Sequence, residues 1–139
     1  ASDISSQALE VAQINIERHG LQDRIHAFAS DGLQQIKGVY DLIVCNPPYV
    51  NAKSMNALPA EFKAEPRLAL AAGADGMDFI RHLFKDVANH MTDNGILVLE
   101  IGHEIHHFQQ AFPHVEPMYL STSAGDEHVL LITKQALQT

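Results

Sequence analysis

Apolar residues recur at helical spacing near the start of the chain. Ala8, Leu9, Ala12 and Ile16 fall on one side, Ser5-Ser6 precedes them and Gly20 follows, which predicts an amphipathic helix over residues 6–19. Residues 24–29 alternate weakly and run into Ser30-Asp31-Gly32, the composition of a strand ending in a loop. Residues 39–45 form a compact apolar run broken only by Asp41, and they stop at Pro47-Pro48. Such a run predicts a buried strand of a parallel sheet, which the prolines terminate because they cannot donate to a ladder. Residues 51–74 carry Pro59, Pro66 and Gly73 with no sustained period, so a long loop with at most a short helical turn is expected. Loops of that length inside a compact domain usually carry function.

Beyond this loop Asp75 is the expected N-cap of a second helix, with Ile80, Leu83, Phe84, Val87 and Met91 on its apolar face and Asn94-Gly95 at its end. Residues 96–101 predict another buried strand, residues 103–112 a third helix, and residues 115–121 and 128–133 two closing strands. The order is that of an α/β protein whose last two strands are close enough in sequence to pair antiparallel.

The 139 residues, 46% of them hydrophobic, suit one domain with a buried core. A formal charge of -8 argues against nucleic-acid binding that depends on neutralising phosphates. Cys45 is the single cysteine, so no intramolecular disulfide can form. With no apolar stretch of membrane-spanning length and no basic and apolar leader pattern, the expected location is the cytoplasm, with no membrane partner.

The chemistry concentrates in Asn46-Pro47-Pro48-Tyr49. In an open parallel sheet, ligands bind outside the carboxyl ends of strands, and this tetrapeptide follows such an end. Amide and aniline-like nitrogens are poor nucleophiles because their lone pair is delocalised. An enzyme that alkylates them must hold the nitrogen's hydrogens with acceptors and aim the lone pair. Asn46 offers a side-chain carbonyl and Pro47 a backbone carbonyl, while the two prolines fix the backbone before a substrate arrives. Tyr49 adds an aromatic face suited to a planar group or a cation. On its own, Asn-Pro-Pro reads equally well as a rigid turn after a strand.

The larger context resembles a known group. Tyr40-Asp41-Leu42-Ile43-Val44 followed by Asn-Pro-Pro-Tyr is similar to the signature of amino-group methyltransferases that act on glutamine side chains, adenine in DNA or guanine in RNA. Leu58-Pro59-Ala60-Glu61-Phe62, the stretch from Glu65-Pro66-Arg67 through Gly73, and Asp75-Gly76-Met77-Asp78 resemble the protein-glutamine methyltransferases of the HemK/PrmB group. Asn15-Ile16-Glu17-Arg18-His19-Gly20-Leu21 and the ending Ile132-Thr133-Lys134-Gln135-Ala136-Leu137 are more similar to the PrmB branch. The resemblance implies a Rossmann-like fold of the class I type and S-adenosyl-L-methionine as cofactor. It implies a glutamine of a large-subunit ribosomal protein as substrate, with release factors or a nucleic-acid base as alternatives. It also implies that Asn46, Pro47, Pro48, Tyr49 and Glu65 face the substrate, with Asn46, Pro47 and Tyr49 catalytic. Asp3, Asp31 and Asn46 would then contact the cofactor, although on their own Asp3 and Asp31 read more often as ordinary helix-start and turn aspartates.

Members of this group carry a first strand, a glycine-rich turn and an N-terminal substrate-recognition domain ahead of the position where this chain begins. The chain is therefore expected to be the C-terminal part of the catalytic domain, inactive alone, with an exposed strand edge open to pairing with another chain. One competing motif is His103-Glu104-Ile105-His106-His107, which satisfies the helical zinc pattern His-Glu-x-x-His. Pro113 occupies the position of a third histidine, and the motif follows directly on Leu99-Glu100-Ile101-Gly102, so no metal is expected.

Overall fold

The computed structural model describes residues 1–50, 72–123 and 125–138. They form two compact units, 1–38 and 39–139.

In the first unit, strand β1 (Ser2–Asp3) pairs in parallel with β2 (Phe28–Ala29), and helix α1 (Ser6–Arg18) lies between them in sequence. The helix begins where Ser5 accepts the Ala8 N–H at 3.2 Å, a side-chain cap. It ends in a Schellman arrangement in which Leu21 N–H reaches Ile16 O at 2.9 Å and Gly20 N–H reaches Glu17 O at 3.1 Å. Both ends match the expected helix within a residue. The strand expected over residues 24–29 is confined to Phe28–Ala29, because Arg24 and Ile25 donate back to Leu21 O in a turn. Ile16 is buried in this unit, whereas Val11 and Ile14 on the other side of α1 are exposed.

The second unit is built on a four-stranded sheet in the order β3 (Tyr40–Cys45), β4 (Met91–Glu100), β6 (Gly125–Thr133), β5 (Met118–Thr122). β3 and β4 run parallel, and the other two pairings are antiparallel, as the sequence predicts for the last two strands. Leu97 pairs with Ile132 and Leu99 with Leu130 on one face, and none of the four has exposed surface. Helices α2 (Asp78–Asp86) and α3 (Ile105–Ala111) supply Ile80, Leu83, Ile105 and Phe108 to the buried core. They meet through Phe84 and Phe108, whose rings stand edge to face with centroids 6.2 Å apart.

Three expectations require correction. β3 is in the expected place and parallel, but it is not buried: Leu42 and Val44 are 52% and 71% exposed. Among the described residues it is a terminal strand of its sheet, bonded to β4 alone. Helix α2 ends at Asp86 rather than near Asn94. A short 3₁₀ turn, Val87–His90, follows it, and Met91 already belongs to β4. Residues 92–95 form a bulge between the Tyr40–Met91 and Leu42–Ile96 pairs. Thr92 Oγ1 holds it to Asp41 Oδ1 at 2.8 Å, and Lys134 Nζ holds it to Met91 O at 2.9 Å. The N-cap of α2 is Met77 and not Asp75. The Asp75 carboxylate instead accepts the Met77 N–H at 3.1 Å and grips the Arg81 guanidinium through both oxygens.

Among the described residues no helix is long and apolar enough to cross a membrane. The loop expected over residues 51–74 lies outside the described residues up to position 71, and Glu65 with it.

Two measurements check this picture. Leu99→Ala is expected to lower unfolding free energy by about 2–5 kcal/mol in urea denaturation, while Val44→Thr on the open face changes it by less than about 0.5 kcal/mol. The hydrogen bond from Arg81 lowers the Asp75 carboxyl from 3.8 to about 2. Its stabilising contribution is thus complete above pH 4 and is lost as pH falls toward 2, and it is small because the pair is largely exposed. An NMR titration of Arg81→Gln is expected to return the Asp75 carboxyl toward 3.8; an unmoved titration would contradict the assignment.

Candidate functional site

The tetrapeptide Asn46-Pro47-Pro48-Tyr49 begins where β3 ends, next to the carboxyl end of its parallel neighbour β4, with Cys45 opposite Leu99. Asn46 is exposed, Pro47 is buried, and Pro48 and Tyr49 are half-buried. A rigid buried proline thus carries an exposed amide side chain at the end of a strand.

Tyr49 is held from several sides. Its hydroxyl donates to Glu100 Oε1 at 3.0 Å, across 51 positions of sequence. Its ring lies against the backbone of Gly102, where an added Cβ would fall 2.4 Å from the ring carbon Cε2. Gly102 also has φ of 54°, a conformation that side chains disfavour. The Tyr49 carbonyl is approached as closely by Gly76, where a Cβ would stand 2.3 Å from the oxygen. Immediately afterwards Val50 O accepts the Ala72 N–H at 3.2 Å, and Ala72 O accepts the Asp78 N–H at 3.2 Å, which ties the motif to the start of α2. The motif is therefore clamped between the ends of β4 and α2.

Glu100, Gly102 and Gly76 were not singled out from sequence as parts of this site. The signal was present in Leu99-Glu100-Ile101-Gly102, since a carboxylate closing the apolar run Ile96-Leu97-Val98-Leu99 is anomalous, but its partner lies 51 positions away.

In the first unit, Asp3 and Asp31 come to the same end of two neighbouring parallel strands: Asp3 closes β1, Asp31 follows β2, and Ser30 N–H donates to Asp3 O at 3.0 Å. Both carboxylates belong to exposed residues. Each also performs a local task, since Asp3 Oδ1 accepts the Ser5 N–H at 2.8 Å ahead of α1 and Asp31 Oδ2 accepts from Gln34 Nε2 at 3.3 Å.

The histidine motif does not take helical zinc-site geometry. Helix α3 starts at Ile105, so His103 precedes it and shares no helix face with His107. The His103 ring packs edge-on against His128 with centroids 4.4 Å apart, while buried Glu104 bonds His107 Nδ1. Among the described residues no three His, Cys, Asp or Glu side chains come together as a metal site.

The family model for the methyltransferase small domain matches residues 1–74. The ribosomal protein uL3 glutamine methyltransferase of Bordetella pertussis is 48% identical across 100% of this chain, which covers 47% of that protein. Its counterparts in Neisseria gonorrhoeae and Burkholderia pseudomallei are each 46% identical across 99% and 95% of this chain, which covers 46% of each. The chain thus spans a little under half the length of these curated relatives. Among solved structures, a ribosomal protein L11 methylase from Lactobacillus delbrueckii subsp. bulgaricus matches with a TM-score of 0.61 at 20% identity over 96% of this chain and 55% of that one. A human methyltransferase 10 domain containing protein matches with a TM-score of 0.55 at 16% identity over 96% of this chain and 60% of its own. These two carry the likeness of fold, and the α/β architecture is that of class I methyltransferases. The chain belongs to the methyltransferase small domain family.

Proposed function

We propose that the protein this chain represents transfers a methyl group to the side-chain amide nitrogen of a glutamine in a large-subunit ribosomal protein, in the cytoplasm. The observation that carries the reading is the clamped Asn46-Pro47-Pro48-Tyr49 segment at the carboxyl end of β3. Relatives 46–48% identical, named ribosomal protein uL3 glutamine methyltransferases, support it.

An amide nitrogen needs positioning more than a strong base. In this reading Asn46 Oδ1 and the Pro47 carbonyl accept the two amide hydrogens, so the nitrogen is held with its lone pair directed out of the amide plane. Pro47 and Pro48 keep both acceptors in place at no ordering cost during binding. Tyr49 borders the amide plane, and Glu65 is proposed to contact the substrate. S-adenosyl-L-methionine, when bound, supplies an electrophilic methyl group. The exposed carboxylates of Asp3 and Asp31, at the ends of adjacent parallel strands, suit hydrogen-bond donors such as ribose hydroxyls and an adenine amino group.

Cys45 lies directly beside Asn46, and a thiolate there would compete for the methyl group. Burial pushes its thiol from 9.0 up to about 11, so it stays protonated at neutral pH.

The test uses the full-length protein with labelled S-adenosyl-L-methionine. Label is expected on a glutamine of the large-subunit ribosomal protein, with Asn46→Ala lowering kcat by about 100-fold or more and cofactor affinity changing by less than about threefold. Label on a release factor instead would change the substrate, and label on nucleic acid would overturn the glutamine reading. The Cys45 thiol is expected to react with iodoacetamide at pH 8 about 100-fold more slowly than in the unfolded chain, in keeping with its smaller thiolate fraction. An equal rate in the two states would contradict its suppression.

A further inference from the structure

We infer that Glu100 is a positioning residue for methyl transfer, acting through Tyr49 to hold the Asn46-Pro47 acceptors in register with the end of β4. The inference rests on the function proposed above and deepens it.

Glu100 is the last residue of β4, where the apolar run Ile96-Leu97-Val98-Leu99 ends in a carboxylate. Neither side-chain pairing along the sheet nor solvation explains it. Its ladder partner is Val129, and it is half-buried. The contact that uses the carboxylate is the 3.0 Å hydrogen bond from the Tyr49 hydroxyl. A hydroxyl donated to a carboxylate is a charge-assisted hydrogen bond, and together with the seat at Gly102 it restricts the ring. Gly102, two residues on, completes the seat, because any side chain there would occupy the ring's position.

The consequence reaches the acceptors through covalent geometry. Tyr49 is separated from Pro47 only by Pro48, whose fixed φ leaves little slack between them. A ring locked at one end therefore limits where the Pro47 carbonyl and the Asn46 side chain can sit. The Glu100–Tyr49 bond thus acts at the point where a misplacement of about 1 Å can cost about 100-fold in rate. Glu100 needs no contact with substrate for this role.

The experiment compares Glu100→Gln, Glu100→Ala, Tyr49→Phe and the Glu100→Ala/Tyr49→Phe pair in the full-length protein, reading kcat, KM and the ¹⁹F NMR spectrum of 3-fluorotyrosine-labelled protein. Tyr49→Phe identifies the Tyr49 resonance. Glu100→Gln keeps a carbonyl acceptor and is expected to stay within about threefold of wild-type kcat, while Glu100→Ala loses about 10- to 100-fold in kcat, changes KM by less than about threefold and shifts the Tyr49 resonance. The paired variant is expected to be no worse than Glu100→Ala, because both substitutions remove the same bond. Wild-type kcat in Glu100→Ala, an unshifted Tyr49 resonance, or losses that multiply in the paired variant would each overturn the inference. If wild type itself transfers no methyl group to glutamine, the proposed function fails and the inference with it, which separates that outcome from the others.

Discussion

Strand β4 is the constraint on which the second unit depends. Its inward residues Met91, Leu97 and Leu99 have no exposed surface, and it is bonded on both edges, to β3 in parallel and to β6 antiparallel. Burial of that order stabilises by about 1.5–3 kcal/mol per large apolar side chain, so the strand's position is over-determined. Its carboxyl end can then serve as a fixed reference. Glu100 and Gly102 are placed by it, and Tyr49 is placed by them. β3 leads into the Asn46-Pro47-Pro48-Tyr49 segment, and the position of Tyr49 in that segment is set from β4.

This division explains which features the sequence disclosed. Helix α1 was legible to within a residue because its limits are set locally, by the Ser5 cap and the Gly20-centred turn. The parallel strand ending at Asn46 and the antiparallel close of the sheet were legible for a similar reason, since apolar runs bounded by Pro or turn residues need no distant partner to be recognised. The end of α2 was not. Val87 and Met91 continue the helical spacing, yet Met91 is drawn into β4, where Asp41 and Lys134 hold the bulge from sites about 50 and 43 residues away. Burial of β3 was misread for a related cause. An apolar run reports the chemistry of a strand and not the layers around it.

The candidate site shows the same split. Asn46 to Tyr49 could be read directly because prolines beside an amide restrict the backbone in a way that residue type alone reveals. Asp3 and Asp31 could be named, and their placement at adjacent strand ends followed from β1 and β2 being parallel neighbours. Glu100, Gly76 and Gly102 were hidden because their meaning is a contact, and neither glycine nor glutamate announces which ring or carbonyl it will meet. The His103 to His107 pattern shows how spacing alone can suggest a site. The spacing was correct for a metal helix, but the helix begins too late to place both rings on one face.

The central claim is that the Asn46 and Pro47 carbonyls hold the amide being methylated. The most direct measurement is a crystal structure of the full-length protein with S-adenosylhomocysteine and a glutamine peptide from the large-subunit ribosomal protein. The account predicts the glutamine amide nitrogen at about 2.7–3.2 Å from both Asn46 Oδ1 and the Pro47 carbonyl oxygen. A glutamine amide bound away from these two acceptors, with its nitrogen held by other groups, would contradict it.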